Sequence, residues 1–270
     1  MCTIVVATRV WEDAPLVVAA NRDELLARPA EGPRRRRFAP EGREVFAPRD
    51  LEAGGTWLGF APGPLFVGLT NRAAAPDPSK RSRGALVAEA LEHPTVESAR
   101  AWADSVQVER YNPFHLLVAD ASSAFLLWPG ADGGRGEIID LPPGLHVVTE
   151  RYATRLAGPA GRARPTRRPE LVRERTAGWT NEASAPASQR WLELLATTSA
   201  EGDAMEGISV RSPDGRYGTR SASVLRLTRP ADAPYVAAVE PELVWVEGPP
   251  GRVEPVDLSE ALRDVVAPKR

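Results

Sequence analysis

The chain has 270 residues, 43% of them apolar and 26% charged, so it can bury a core, while 26 prolines and 22 glycines call for many turns. Its 34 Lys plus Arg against 36 Asp plus Glu leave a net charge of -2, which supplies no field for nucleic acid or for an anionic membrane surface. One cysteine excludes an internal disulfide, and the scattered His93, His115 and His146 do not form a zinc motif with it.

Residues 2–10 are rich in β-branched side chains and Leu16 to Ala20 form a second apolar run, so the two predict a hairpin turning near Asp13. Antiparallel pairing about that centre sets Cys2 opposite Glu24 and Thr3 opposite Asp23, to within a residue or two. Residues 28–50, with the Arg34 to Arg37 run and several Pro and Gly, predict an irregular excursion. Gly54-Gly55-Thr56-Trp57 follow, then a strand at Leu65 to Thr70, helices over 84–93 and 95–106 separated by Pro94, and a hairpin of Phe114 to Ala119 with Ala124 to Trp128. Short strands are expected at Glu137 to Asp140 and Leu145 to Thr149. Residues 150–186 read as irregular, with a short helix at Glu170 to Thr176. A helix over Ser188 to Thr198 and strands over 219–228 and 235–247 complete the chain, taken as one domain over 1–270. No run approaches the ~18 apolar residues of a membrane span and the first residues lack a secretion-signal pattern, so the expectation is a cytoplasmic protein without an integral membrane segment.

Cys2 carries the chemistry. Removal of Met1 would leave a thiol and a free α-amine on one residue, a nucleophile with its own base, since the reference pKa values of the two groups lie near ~8.5 and ~8. The alternative is a small buried residue that starts a strand. The hairpin brings Asn21, Arg22, Asp23 and Glu24 beside it. Alternation puts Asn21 and Asp23 on one face and Arg22 on the other, and the Asn21/Asp23 pair is preferred as the inward one. Asp23 is expected to orient the amine, and Arg22 to favour the thiolate where the strand bends; an Arg22–Glu24 surface ion pair is the plain alternative.

With Met1-Cys2-Thr3-Ile4 and Asn21-Arg22-Asp23-Glu24 in hand, the chain resembles the NRDE family, also called the transport and Golgi organisation protein 2 family. Further stretches agree with it in order: Pro48 to Gly59 (PRDLEAGGTWLG), Leu69 to Arg72, Ser82-Arg83-Gly84, Asn112-Pro113-Phe114 and Tyr217-Gly218-Thr219-Arg220-Ser221. The family is regarded as similar to N-terminal cysteine hydrolases such as penicillin V acylase and bile salt hydrolase, which implies an α+β fold, a four-layer αββα sandwich of two antiparallel sheets. The resemblance implies Asp23 and Arg220 as site residues by context. Arg22 fits less closely, because those hydrolases place their Arg where this chain has Ala20. After Leu145-His146, where such sequences continue to a Ser-Asn pair with an oxyanion-stabilising Asn, this chain has Thr149-Glu150. A carboxylate donates no hydrogen bond unless protonated, and losing one such donor costs ~3 kcal/mol in the transition state.

The expected catalytic set is therefore Cys2, Asn21, Arg22, Asp23 and Arg220, with Trp57, Asn71, Arg72 and Glu150 facing a small-molecule ligand. The expected reaction is hydrolysis of an amide without metal or cofactor. The alternative is a non-catalytic carrier of haem or of lipid and acyl-coenzyme A, with His115 or His146 as a haem ligand; a lone strand histidine is more often a packed residue. Gly54-Gly55-Thr56-Trp57 either walls a ligand or makes a tight turn beside a core tryptophan.

Overall fold

The computed structural model describes residues 2–130, 136–150, 167–199, 204–229 and 239–266. They form two compact units, each assembled from separate stretches of chain: residues 1–27 with 143–259, and residues 28–142 with 260–270.

The first unit is a six-stranded antiparallel sheet in the order β10-β1-β2-β11-β12-β13. β1 is Cys2–Thr8 and β2 is Leu16–Leu25, the expected hairpin. Their register pairs Cys2 with Arg22 and Thr3 with Asn21, two residues from the expected partners. The seven-residue connection, closed by the Arg9 amide on the Pro15 carbonyl with Arg9 at φ 51°, moves the turn centre from Asp13 to Glu12. β10 (Gly144–Val148) flanks β1, and β11 (Tyr217–Thr228) flanks β2; β12 is Glu240–Val246 and β13 is Val256–Asp257. The expected start of β12 at 235 lies outside the described residues. One face of this sheet carries Val5, Ala7, Val17, Ala19, Ala222 and Val224, which pack with Leu171 and Val172 of helix α3 (Arg167–Arg175) and Trp191, Leu192, Leu194 and Leu195 of helix α4 (Ser188–Leu195). The i, i+3, i+4 spacing of these helix residues supplies the apolar stripe that turns each helix onto the sheet. The other face, with Ile4, Val6, Leu16, Val18 and Leu225, is buried too. This explains why β1 reads as a continuous apolar run and not as an alternating one.

The second unit is a seven-stranded antiparallel meander whose spatial order follows the sequence from β3 to β9. It comprises β3 (Ala30–Arg36), β4 (Val45–Asp50), β5 (Leu58–Ala61), β6 (Leu65–Asn71), β7 (Phe114–Ala119), β8 (Ala124–Pro129) and β9 (Gly136–Asp140). Helices α1 (Arg83–Ala90) and α2 (Val96–Ala103) match the expected pair, with α2 opened by a capping box between Thr95 and Ser98. Leu86, Val87, Ala90 and Ala99 cover Val45, Val67, Leu116 and Leu127. Helix α5 (Ser259–Val266) was not expected.

The irregular excursion over 28–50 is corrected to two strands. β3 is an edge strand with a register shift between Glu31 and Arg34, where Pro33 removes a donor the ladder does not need. Its arginines are held at close range: Glu31 pairs with Arg34 and Arg36, and Glu44 with Arg35 and Arg37. A charge run that looks unstructured in sequence is thus a regular edge whose four arginines share two carboxylates. The irregular segment over 150–186 is corrected in part, since α3 begins at Arg167; residues 151–166 lie outside the described residues.

Candidate functional site

Cys2 begins β1 and is only 9% exposed. Opposite residues of an antiparallel pair share a face, so the register lines up Cys2, Arg22 and Ser221 across β1, β2 and β11 on one face. Arg22 is 6% exposed, so it is a buried cation across from Cys2, and the alternative of an Arg22–Glu24 surface ion pair is set aside. The same alternation places Asn21 and Asp23 with Thr3 on the opposite face. The preference for Asn21 and Asp23 as the pair facing the thiol is corrected accordingly. Asp23 reaches Cys2 through its backbone instead, its amide lying within hydrogen-bonding reach of Sγ.

Each residue of the Asn-Arg-Asp-Glu segment has a separate task. Asn21 Nδ2 donates to the carbonyls of Leu195 (2.9 Å) and Ile208 (3.0 Å), satisfying an orphan acceptor at the end of α4 and tying in the irregular segment around Ile208. Asp23 Oδ1 accepts from Thr219 Oγ1 at 2.8 Å, and Thr219 Oγ1 in turn accepts from the Val210 amide at 2.9 Å. The second bond occupies a lone pair of the hydroxyl and so directs its proton at Asp23. Gly218 makes this possible: a Cβ there would lie 2.8 Å from the Val210 carbonyl oxygen, so only glycine lets the 204–211 segment come this close. Tyr217 donates its phenol to the Asp23 carbonyl at 2.7 Å. Burial pushes that phenol far up, with the negative forms of Cys2 and Asp23 adding to the effect, so it stays a protonated donor. Glu24, half-buried, accepts from the Leu25 amide.

The residue that sequence reasoning missed is Arg168, fully buried at the start of α3. Its Nη1 lies 3.4 Å from Asp23 Oδ2 and 3.2 Å from Glu150 Oε2, and donates to Thr3 Oγ1 at 3.4 Å; Nη2 donates to the Met205 carbonyl at 2.9 Å. Glu150 therefore belongs to an ion cluster, and as a carboxylate it offers an oxyanion no donor. A signal existed: Arg168, Leu171 and Val172 share the i, i+3, i+4 stripe that must face the core.

Burial raises Asp23 to about 6; Arg168, the positive amino terminus and the Thr219 hydroxyl pull it back, while Glu150 pushes it up. Burial also raises the Cys2 thiol, and the Asp23 charge adds to this, whereas Arg22 pulls it down by less. The expected favouring of the thiolate by Arg22 is replaced by a thiol held protonated. Arg220 is the extra residue of a β-bulge between Thr219 and Ser221, and its Nη1 pairs with Glu247 at 3.3 Å.

Trp57, Asn71 and Arg72 belong to the second unit. Half-buried Trp57 precedes β5, and its carbonyl accepts from the Leu69 amide. Asn71 ends β6 opposite Phe114. Arg72 donates to the Pro129 carbonyl at 2.9 Å and stacks its guanidinium 4.5 Å from the Trp128 ring centroid. The close approach expected of Gly54-Gly55 is to backbone: a Cβ on Gly55 would lie 2.6 Å from the Gly84 carbonyl carbon at the head of α1. His115 is buried in β7 with Nδ1 3.2 Å from Thr70 Oγ1, and His146 is buried in β10. No cluster of three or more His, Cys, Asp or Glu able to hold a metal occurs among the described residues, and none of their helices is long and apolar enough to cross a membrane.

Comparison with solved structures defines the fold class. The chain is similar to an N-acylethanolamine-hydrolyzing acid amidase ortholog from Caenorhabditis elegans, with TM-score 0.53 and 15% identity over 83% of this chain and 92% of the other. Two variants of conjugated bile acid hydrolase from Clostridium perfringens give TM-scores of 0.56 and 0.59 at 10% and 11% identity, each comparison covering 96% of this chain and 93% of the other. The fold is thus the α+β architecture of N-terminal-nucleophile hydrolases, with two antiparallel sheets and flanking helices. The Transport and Golgi organisation 2 (TANGO2) family matches residues 1–237, and the chain belongs to that family. Among its relatives, the Transport and Golgi organization protein 2 homolog of Bos taurus is 33% identical over 141 residues, half of each chain, and that of Homo sapiens 34% identical over 113 residues, 40% of each. The chain spans about half the length of the curated relatives it matches.

Proposed function

We propose that this protein is an N-terminal cysteine hydrolase that cleaves an amide bond of a small molecule through Cys2 after removal of Met1. The observation that carries the reading is the start of β1: a single cysteine opens the strand, a buried arginine lies across from it, and the Asp23 amide reaches its sulfur. A thiol held protonated by burial needs a base, and removal of Met1 supplies one on the same residue. The α-amine takes the thiol proton as Sγ attacks the substrate carbonyl. The proton passes to the departing amine, leaving an acyl thioester. Water then adds to the thioester, releasing the acid and restoring the thiol. Arg22, opposite Cys2, favours negative charge on the sulfur during attack. Fold likeness to an amidase and to bile acid hydrolases supports the reaction class.

The test uses protein purified from cytosolic expression. Intact mass establishes the state of Met1, and p-nitrophenyl acetate serves as the acyl probe. The reading expects Met1-free protein, an acetyl group on Cys2 and steady release of p-nitrophenolate that Cys2→Ala abolishes. Met1 retained throughout, or Met1-free protein never acetylated at Cys2, would sink it. The competing reading, a haem carrier, expects a Soret band that survives Cys2→Ala and weakens on replacing His115 or His146.

A further inference from the structure

The three strands that meet beside Cys2 are fastened by one side chain from outside the sheet. Thr3 lies on β1 itself, Asp23 on β2, and Glu150 just past β10 on the other flank of β1. Arg168 Nη1 contacts all three, at 3.4, 3.4 and 3.2 Å. We propose that Arg168 is a positioning residue for the Cys2 site, holding Asp23 as a carboxylate next to the amino end of β1 while Glu150 serves as its counter-acid.

The arrangement has consistent chemistry. A guanidinium keeps its charge under all conditions of protein chemistry, so it is a fixed counter-ion on which two acids compete. Thr219 fixes one Asp23 oxygen and Arg168 faces the other, which determines how the carboxylate is turned. The ionisable groups acting on Asp23 are Arg168 from α3, Glu150 from beyond β10, the charged amino terminus of the chain, the Cys2 thiol of β1 and Tyr217 of β11, with Arg22 and Glu24 as chain neighbours. Arg168 and Glu150 act on Asp23 with opposite signs. Loss of Arg168 hinders its ionisation; loss of the Glu150 charge eases it. Glu150 thus has a task here: it shares the cation with Asp23.

The inference rests on the proposed hydrolase reading, and the experiment separates the two. Two quantities are measured in Met1-free protein: the Asp23 titration by carboxyl 13C NMR, assigned from its absence in Asp23→Asn, and the pH dependence of Cys2 acetylation by p-nitrophenyl acetate. Wild type is expected to show, below the limb set by the α-amine, a further fall in acetylation that coincides with the Asp23 titration near pH 6. Arg168→Gln should raise both by a pH unit or more, an about fivefold lower acetylation rate at pH 6. Arg168→Lys should restore most of the shift, and Glu150→Gln should move both downwards. Because Glu150→Gln removes a charge without removing the guanidinium, it keeps the test available if Arg168→Gln does not fold. A further fall that stays in place while the Asp23 titration moves overturns the positioning role alone, as does an Asp23 titration that ignores both substitutions. Wild-type protein that is never acetylated overturns the hydrolase reading and the role with it.

Discussion

Asp23→Asn should remove a pH dependence of stability that the wild-type chain carries. In the folded protein Asp23 titrates near 6 against an ordinary value of 3.8, mainly because burial disfavours its charge. A folded value raised above the unfolded one means that the native state holds a proton the unfolded chain has released. The stabilisation is complete below about pH 4 and is lost as pH rises through about 6. The full difference is about 3 kcal/mol, and about 2 kcal/mol of it falls between pH 4.5 and 8. Asparagine keeps the shape and can still accept from Thr219, but does not titrate. The assay is urea unfolding at intervals over that pH range, followed by tryptophan fluorescence and by circular dichroism to establish coincident transitions. Relative to wild type, the variant should gain about 2 kcal/mol between pH 4.5 and 8. Parallel profiles, differing by a constant offset, would refute the assignment of a raised, buried carboxyl to Asp23.

Other expectations test neighbouring parts of the structure. Trp191 is fully buried, donates to the Pro186 carbonyl and meets Trp11 and Trp179 edge-on at 6.2 and 4.9 Å between centroids, so Trp191→Ala should cost about 3–5 kcal/mol in urea unfolding. Gly218→Ala drives a methyl against the Val210 carbonyl and should cost about 1–3 kcal/mol, with a matching loss of amide exchange protection at Val210 and Thr219. Iodoacetamide labelling of folded protein should be slow at pH 7 and rise steeply above pH 9, because burial raises the Cys2 thiol; labelling as fast as that of a free thiol at pH 7 would contradict this burial.

The architecture was legible where local pattern decides it. The hairpin, both helices flanking Pro94, helix α4 and most strands follow from periodicity and turn residues, and the ordered motifs carried the family. The Arg34 to Arg37 strand was not legible, because its regularity depends on Glu31 and Glu44, one of them across a turn. The site was half legible. The expected register, Cys2 with Glu24, differs from the observed one by an even number, so it already placed Arg22 on the face of the thiol; the preference for Asn21 and Asp23 overlooked that parity. The one-residue bulge that carries Arg220 leaves no reliable mark in the sequence. Arg168 was hidden among other arginines, and only the phase of its helix set it apart.

The discontinuity of the first unit bears on how the chain is made. β2 is complete at Leu25, but the strand that covers its outer edge begins at Tyr217, roughly 190 residues later. At ~5–20 residues per second, a ribosome delivers that partner about 10–40 s after the hairpin. Throughout this interval the apolar edge of β2 must be kept from pairing elsewhere, while the second unit, contiguous from residue 28 to 142 apart from its last helix, can begin to assemble. The hairpin therefore waits for the strand that closes the outer edge of β2.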